Sequence, residues 1–365
     1  MTAKSLLLHY HPPPELSNPV NMKTFQQSLS GVFQEAGFDS QPHYQEGSFG
    51  LLATFTSDKN GSASVTCFTD GAVVVNLCLW IKDKQNEDDQ MNNITNLDQQ
   101  LKELLACKKS KRLPFISHQV DMDCYLPTSD RRIVEYDFDK VTFEADSDYQ
   151  NIKIMHSPQY GNVLILDDDV NLAESDLSYT KAITGNGRED YTNKEILILG
   201  GGDGGILHEL LQGSPKFVTM VEIDQIVIDE AIKHLRGICH NSMDSLKGPQ
   251  HEVIVADCVP VMRKFIEEGK QFDYVINDLT AIPITTESRG DAWDFMRLIL
   301  DLSMKVMKQD GKYFTQGNGA NMTSALEMYE TQLKKLECSI EFKKEKICVP
   351  SYLEYWIFYE IWKTC

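Results

Sequence analysis

Short apolar runs, each closed by an acid, mark the second half of the chain. Ile196–Leu199 are four consecutive apolar residues, the signature of a strand buried on both faces. Gly200-Gly-Gly-Asp-Gly-Gly205 follows, and Ile206–Leu211 then resumes at helical spacing. The five glycines around Asp203 permit a tight turn where backbone approaches a ligand. A strand, a glycine loop and a helix N-terminus in that order form the phosphate or nucleoside cradle of doubly wound α/β folds. Val218–Asp224, Val253–Cys258 and Phe272–Leu279 read as three more strands, with Glu222, Asp257 and Asp278 at their carboxyl ends. Open α/β sheets bind ligands at that edge, and a carboxylate about twenty residues past the loop, as Glu222 is, suits ribose hydroxyls.

Beyond Asp278, Leu279–Arg289 reads as a loop stiffened by Pro283 and long enough to close over a ligand. Trp293–Met307 has helical spacing, Gln309-Asp-Gly311 predicts a turn into strand Lys312–Thr315, and Met322–Leu336 predicts another helix. Ile340–Val349 and Glu354–Trp362 read as a closing antiparallel pair, which fits an S-adenosylmethionine-type transferase better than a dehydrogenase. The expected fold class is α/β: a Rossmann-like transferase sheet over 175–365, opened by a helix that Ser175 caps and that carries Tyr179.

Residues 119–174 read as a small antiparallel β unit. Ile133–Phe143 alternates, and Ile152–His156 and Val163–Leu166 flank the hairpin signal Tyr160-Gly-Asn162. Such a unit forms a lid or one wall of a site. Residues 1–118 read as a separate α+β unit without a catalytic constellation, suited to regulation or oligomerisation. Met22–Phe38 is an amphipathic helix; Gly50–Thr56, Ala63–Phe68 and Ala72–Ile81 are strands joined at Asn60-Gly61 and Asp70-Gly71. Asp83–Asn96, polar and acidic, reads as a loop before a helix with Leu97, Leu101, Leu104 and Leu105 on one face. Lys108-Lys-Ser-Lys-Arg112 reads as a solvated basic linker.

Composition narrows the partners. The 365 residues carry 54 acids against 35 bases, a formal charge of −19, so nucleic acid is a poor partner and a small cation a good one. Nine cysteines, at 67, 78, 107, 124, 239, 258, 338, 348 and 365, form no CxxC pair and no metal-ligand spacing. They read as buried free thiols of a reducing compartment, with the cytoplasm as the expected location. The start has an apolar run too short for a signal peptide, and no stretch approaches the roughly 20 apolar residues of a membrane span.

The acids define the candidate chemistry. The loop lacks the Gly-Lys-Ser/Thr of a phosphate loop, and Asp203 in its middle repels a pyrophosphate. A nucleoside without phosphate fits better, with a cationic group beside the loop. Glu222 for ribose, Asp257 for an adenine amino group and Asp203 for a cation together suit an adenosyl sulfonium, and Asp278, Asp203 and Glu354 then flank an amine. Each also has a plainer reading: Asp203 as a helix cap, Asp278 as a turn residue, Tyr179 and Tyr352 as packing groups. No Ser-His-Asp set and no metal cluster is apparent.

Longer stretches resemble a known family. Asp148-Tyr-Gln-Asn-Ile-Lys-Ile154, Gly161-Asn-Val-Leu-Ile-Leu166, Gly200-Gly-Gly-Asp-Gly-Gly205, Val221-Glu-Ile-Asp224 and Asp273-Tyr-Val-Ile-Asn-Asp278 are similar to the polyamine aminopropyltransferases. Asn171–Thr180, Asp278-Leu-Thr-Ala-Ile-Pro283 and Val349-Pro-Ser-Tyr-Leu-Glu354 resemble its spermine synthase branch. The resemblance covers roughly 120–363, and the N-terminal unit is similar to the extra domain of animal members, which has an S-adenosylmethionine decarboxylase-like fold and makes the family's dimer. It implies transfer of an aminopropyl group from decarboxylated S-adenosylmethionine to spermidine, giving spermine and 5′-methylthioadenosine. The donor is then a co-substrate, and no tightly bound cofactor or metal is implied. By matching motif, Gln150, Glu222, Asp257 and Cys258 hold the adenosyl part, Cys258 through its backbone. Tyr179, Asp203, Tyr352 and Glu354 bind the polyamine, and Asp278 accepts the proton. A homodimer through 1–118, without nucleic acid or membrane, is the implied assembly. A methyltransferase, a non-catalytic polyamine sensor and, more weakly, a nicotinamide dehydrogenase are the alternatives.

Overall fold

In the computed structural model, which describes residues 2–13, 22–118 and 122–364, the chain divides into two units, Met1–Asp121 and Met122–Cys365. The first contains, in order, β1 (Thr2–Tyr10), α1 (Met22–Glu35), β2 (His43–Gly47), β3 (Gly50–Ser57), β4 (Gly61–Phe68), β5 (Val73–Ile81), α2 (Lys84–Leu104), β6 (Ser110–Arg112) and β7 (Ile116–His118). Its antiparallel sheet runs β2-β3-β4-β5-β1-β6, with β7 also on β1. On β5, Val73, Val75, Leu77, Leu79 and Ile81 are buried and alternate with more accessible residues. Leu29 and Phe33 of α1 and Ile94, Leu97 and Leu101 of α2 share that core.

Two expectations fail in this unit. Asp83–Asn96 is no loop: Asp83 caps α2 by accepting Asn86 N–H at 2.8 Å, and the helix runs on from Lys84. Buried Gln90 occupies an inward position and donates to Asn60 Oδ1 at 2.9 Å, so the apolar stripe is broken where a polar partner replaces it. The basic run is no free linker either, because Ser110–Arg112 pairs with Leu8–Tyr10 of β1.

The second unit opens with the hairpin β8 (Tyr125–Pro127) and β9 (Ile133–Glu135). The sheet β10 (Lys140–Asp146), β11 (Asn151–Ser157), β12 (Gly161–Leu166) and β13 (Asp169–Ala173) follows as an antiparallel meander. These strands fall in the same unit as the larger sheet, and residues 119–121 lie outside the described residues. Next come α3 (Leu177–Ile183), β14 (Glu195–Gly200), α4 (Gly205–Gln212), β15 (Phe217–Glu222), α5 (Gln225–His234) and α6 (Arg236–Cys239). β16 (His251–Val255), α7 (Cys258–Glu267), β17 (Phe272–Asp278), α8 (Asp291–Val306), β18 (Met307–Gly319), α9 (Thr323–Leu333), β19 (Ile340–Val349) and β20 (Glu354–Lys363) complete it.

The seven-stranded sheet has the order β16-β15-β14-β17-β18-β20-β19, parallel through β18 and antiparallel at β20 and β19. The apolar run of β14 serves both faces: Ile196 and Ile198 join one core, Leu197 and Leu199 the other. Strand order reverses at β14, which places a crevice beyond its carboxyl end.

Three local expectations are corrected here. Gln309-Asp-Gly311 is not a turn but a bulge inside β18, whose pairing jumps from Phe272↔Met307 to Tyr274↔Lys312. Asp176, not Ser175, precedes α3, and its carboxylate does not cap the helix. The eight described cysteines are free, but only Cys107, Cys239 and Cys258 are buried; Cys67, Cys78, Cys124 and Cys338 are half-buried, and Cys348, on the outward side of edge strand β19, is exposed. Cys365 lies outside the described residues. Among the described residues no helix is long and apolar enough to cross a membrane.

Candidate active site

The glycine loop brings β14 against the end of β17. Gly200 has φ +80°, and a Cβ there would lie 2.4 Å from the Asp278 carbonyl oxygen, so only glycine allows the approach. The Gly202 N–H donates to Glu222 Oε2 at 3.1 Å, and the Asp224 N–H donates to Glu222 Oε1 at 2.9 Å. One backbone donor on each oxygen fixes this carboxylate while leaving lone pairs for a ligand. Asp203 Oδ1 accepts the Gly205 N–H at 2.8 Å, so it does hold the start of α4, and it also lines the cleft. One side chain thus meets both the backbone at the start of α4 and the cleft.

The cleft beyond these strands has a volume of about 680 Å³. Among the described residues its lining includes seven carboxylates, Asp167, Asp168, Asp169, Asp203, Glu222, Asp278 and Glu354, and no lysine, arginine or histidine. Such a cavity selects cations. Gln150, Tyr179 and Tyr352 line it as well. Asp257 and Cys258 do not: exposed Asp257 caps α7 through Val259 N–H at 2.8 Å, and Cys258 is buried as the first residue of that helix. The structure thus brings together seven of the nine residues singled out from sequence and leaves these two off the lining.

Burial shapes the acids. The Asp278 carboxyl is pushed well above the usual range, chiefly by burial and then by the negative charge of Asp203. The Tyr179 hydroxyl opposes that shift by donating to Asp278 Oδ1 at 2.5 Å. Tyr179 itself is held protonated by burial and by Asp278. Asp203 and Glu222 are also raised by burial, against backbone hydrogen bonds that favour their charged forms. The Tyr179 ring meets Phe358 edge-on at 5.1 Å and Tyr352 at 6.1 Å, which fixes the direction of its hydroxyl.

On another wall, Glu354 accepts Ser129 Oγ–H at 2.6 Å and Ser129 N–H at 3.3 Å, with the Arg132 guanidinium 3.9 Å away. The Tyr352 hydroxyl donates to the Asn171 carbonyl at 2.6 Å. Asp176 secures this wall: it accepts Ala173 N–H at 2.8 Å, Ser351 N–H at 2.9 Å and the Ser351 hydroxyl. Asp169, raised by burial and by Glu354, also lines the cleft. Sequence reasoning missed Asp169, Asp176 and Ser129. The run Asp167-Asp-Asp169 was the one available signal, since three adjacent acids after an apolar strand are unusual for a mere hairpin end.

Residues 176–365 match the spermine/spermidine synthase domain, 126–174 the spermidine synthase tetramerisation domain, and 24–118 the S-adenosylmethionine decarboxylase N-terminal family. A polyamine aminopropyltransferase of Aquifex aeolicus is 30% identical over 237 residues, 62% of this chain and 77% of that protein. A spermidine synthase of Datura stramonium is 36% identical over 143 residues, 38% of this chain and 44% of its own. A spermine synthase of Saccharomyces cerevisiae is 39% identical over 109 residues, 29% of this chain and 36% of its own. The chain thus spans less than half the length of these last two relatives. The crystal structure of spermidine synthase from Thermotoga maritima shares the fold, with a TM-score of 0.54 at 22% identity over 67% of this chain and 80% of that one. With more than half of its length, including the glycine loop, the acidic strand ends and the closing strand pair, matched to one domain, the chain belongs to the spermine/spermidine synthase family.

Proposed function

We propose that this cleft transfers an aminopropyl group from decarboxylated S-adenosylmethionine to spermidine, releasing spermine and 5′-methylthioadenosine. The observation that carries the reading is the lining of seven acids and no base, which suits two cationic substrates at once. Gln150 and Glu222 face the nucleoside. Asp203 stands beside the donor's ammonium and disfavours the carboxylate of intact S-adenosylmethionine, which weighs against a methyltransferase. Tyr352 and Glu354 hold the far part of the acceptor.

The amine lone pair attacks the carbon next to the sulfonium. A C–N bond forms as the C–S bond breaks, and sulfur leaves with the bonding electrons as a neutral thioether. The one proton released is the one that frees this lone pair; it passes to Asp278, and the product nitrogen keeps its positive charge. An amine titrates near lysine, at about 10.4, so it arrives charged and must lose a proton. Carboxylates around it favour the cation, which opposes attack. Orientation is therefore the larger contribution, up to roughly 7–11 kcal/mol in favourable intramolecular cases, against about 10²–10⁴-fold for proton transfer.

Product analysis by mass tests the reading, with decarboxylated donor offered putrescine and spermidine separately. Spermine from spermidine with little spermidine from putrescine is expected. A site with polar groups placed for a longer acceptor rejects the shorter one by up to about 10⁴–10⁵. Comparable kcat/KM for the two amines would make this a spermidine synthase or a generalist, and absence of methylthioadenosine release would make it a sensor. Residues 1–118, a unit with its own core, are assigned to homodimerisation. Sedimentation of a chain lacking them tests this, and a stable dimer there refutes it.

A further inference from the structure

The orientation of one amide decides what the nucleoside wall can hold. Gln150 Nε2 lies 3.1 Å from Asp224 Oδ2, and the same oxygen accepts the Ser147 hydroxyl at 2.6 Å. Ser147 Oγ in turn accepts the N–H groups of Tyr149 and Gln150, both at 3.1 Å. The turn between β10 and β11 is thereby closed onto Asp224. That residue is 1% exposed, and its other oxygen accepts the Ile226 N–H at 3.0 Å at the start of α5.

A carboxylate offers only lone pairs, so Asp224 can take the NH₂ of Gln150 and not its carbonyl. Gln150 lines the cleft, which leaves Oε1 as the end of the amide available to a ligand. We infer that Asp224, which does not itself line the cleft, is a positioning residue that fixes the Gln150 amide so that the nucleoside wall presents acceptors alone. Glu222 beside it contributes two oxygens, each already holding one backbone donor. A wall of acceptors takes the hydroxyl donors of an unphosphorylated ribose and repels a phosphate ester on that sugar. The inference rests on the reading that Gln150 and Glu222 face the nucleoside, and it adds the group that makes Gln150 selective.

The test is a double-mutant cycle read by calorimetric titration of 5′-methylthioadenosine into the full chain. Asparagine serves as well as aspartate at a helix N-cap, so Asp224→Asn keeps the start of α5. It can, however, donate to Gln150 Oε1, and the amide turns over. Affinity is expected to fall about three- to tenfold, the span of one net hydrogen bond. In a Gln150→Met background the same change is expected to do nothing more. An equal loss in both backgrounds makes Asp224 merely structural and overturns the inference while the nucleoside reading stands. Unchanged affinity on Gln150→Met overturns both. A second variant covers the case in which Asp224→Asn does not fold. Gln150→Glu sets oxygen against oxygen at the 3.1 Å contact, so its nucleoside binding is expected to strengthen as pH falls and the new acid takes a proton. Binding in that variant that does not change with pH overturns the assignment.

Discussion

Tyr179→Phe isolates a single hydrogen bond. The ring sits edge-on to Phe358 and Tyr352, and phenylalanine keeps those contacts and that volume. What disappears is the O–H donated to Asp278 Oδ1 at 2.5 Å. A hydrogen bond to a charged group contributes about 1.5–3 kcal/mol, which is roughly 10- to 150-fold in rate if it is needed in the transition state. The direction follows from the charges. Burial and Asp203 shift the Asp278 carboxyl upward, and Tyr179 counters them. Without the donor, Asp278 keeps its proton to higher pH, so it cannot accept one from the amine. The acid limb of the kcat/KM profile reports the free enzyme and is expected to move to higher pH, with part of the loss recovered in alkali. Affinity for methylthioadenosine stays near that of the parent. A variant with a parental acid limb and a raised polyamine KM would place Tyr179 in substrate binding alone and refute the tuning argument.

Asp278→Asn is expected to lose about 10²–10⁴-fold in turnover while still binding methylthioadenosine, and near-normal turnover excludes the acceptor role. The same variant has a stability signature. Because the folded carboxyl is raised, the folded state binds more protons than the unfolded one above the ordinary carboxylate range near 3.9. That contribution is fully present below this range and is lost as pH rises through the folded value. Asparagine escapes the loss, so its Tm is expected to exceed the parent's at neutral pH and to converge with it in acid; scanning calorimetry across pH checks this, and a lower neutral Tm contradicts it. Glu354→Gln is expected to raise the KM for spermidine more than that for the donor. Initial-rate kinetics with each substrate varied in turn decide, and an equal rise in both removes Glu354 from the acceptor wall.

Legibility in the sequence followed the range of the interactions. The β14 run, its glycines and the acids closing β15 and β17 announce themselves because each depends on neighbours in the chain. Alternation within Ile196–Leu199 feeding two cores is a local fact with a global result. The start of α2 was hidden because Gln90 satisfies its burial through Asn60, thirty positions away in sequence, rather than through apolar contact. Asp176 and Ser129 were invisible for the same reason: their partners lie in a distant loop and strand. Asp257 was readable as a strand-end acid, yet the end of β16 does not contribute to the cleft lining. Strand-end position marks an edge of the sheet, and which ends meet one crevice depends on strand order, set by pairings that no local pattern records.

The two walls of the cleft differ in how much chain must be gathered to build them. Glu222 is placed by Gly202 and Asp224, 20 and 2 positions away. The opposite wall closes over separations of 175 residues at Asp176–Ser351, 181 at Tyr352–Asn171 and 225 at Ser129–Glu354. Bringing such distant segments together costs loop-closure entropy before any contact is gained, and it slows folding. Synthesis proceeds from the N-terminus, so the nucleoside wall has all its residues in hand well before Ser351 and Glu354 emerge. At that stage the chain contains the residues around Glu222 but lacks those that close the other wall. The hydroxyl and backbone groups clasped by Asp176 and Glu354 then act as the latch that turns an open cradle into a finished cleft.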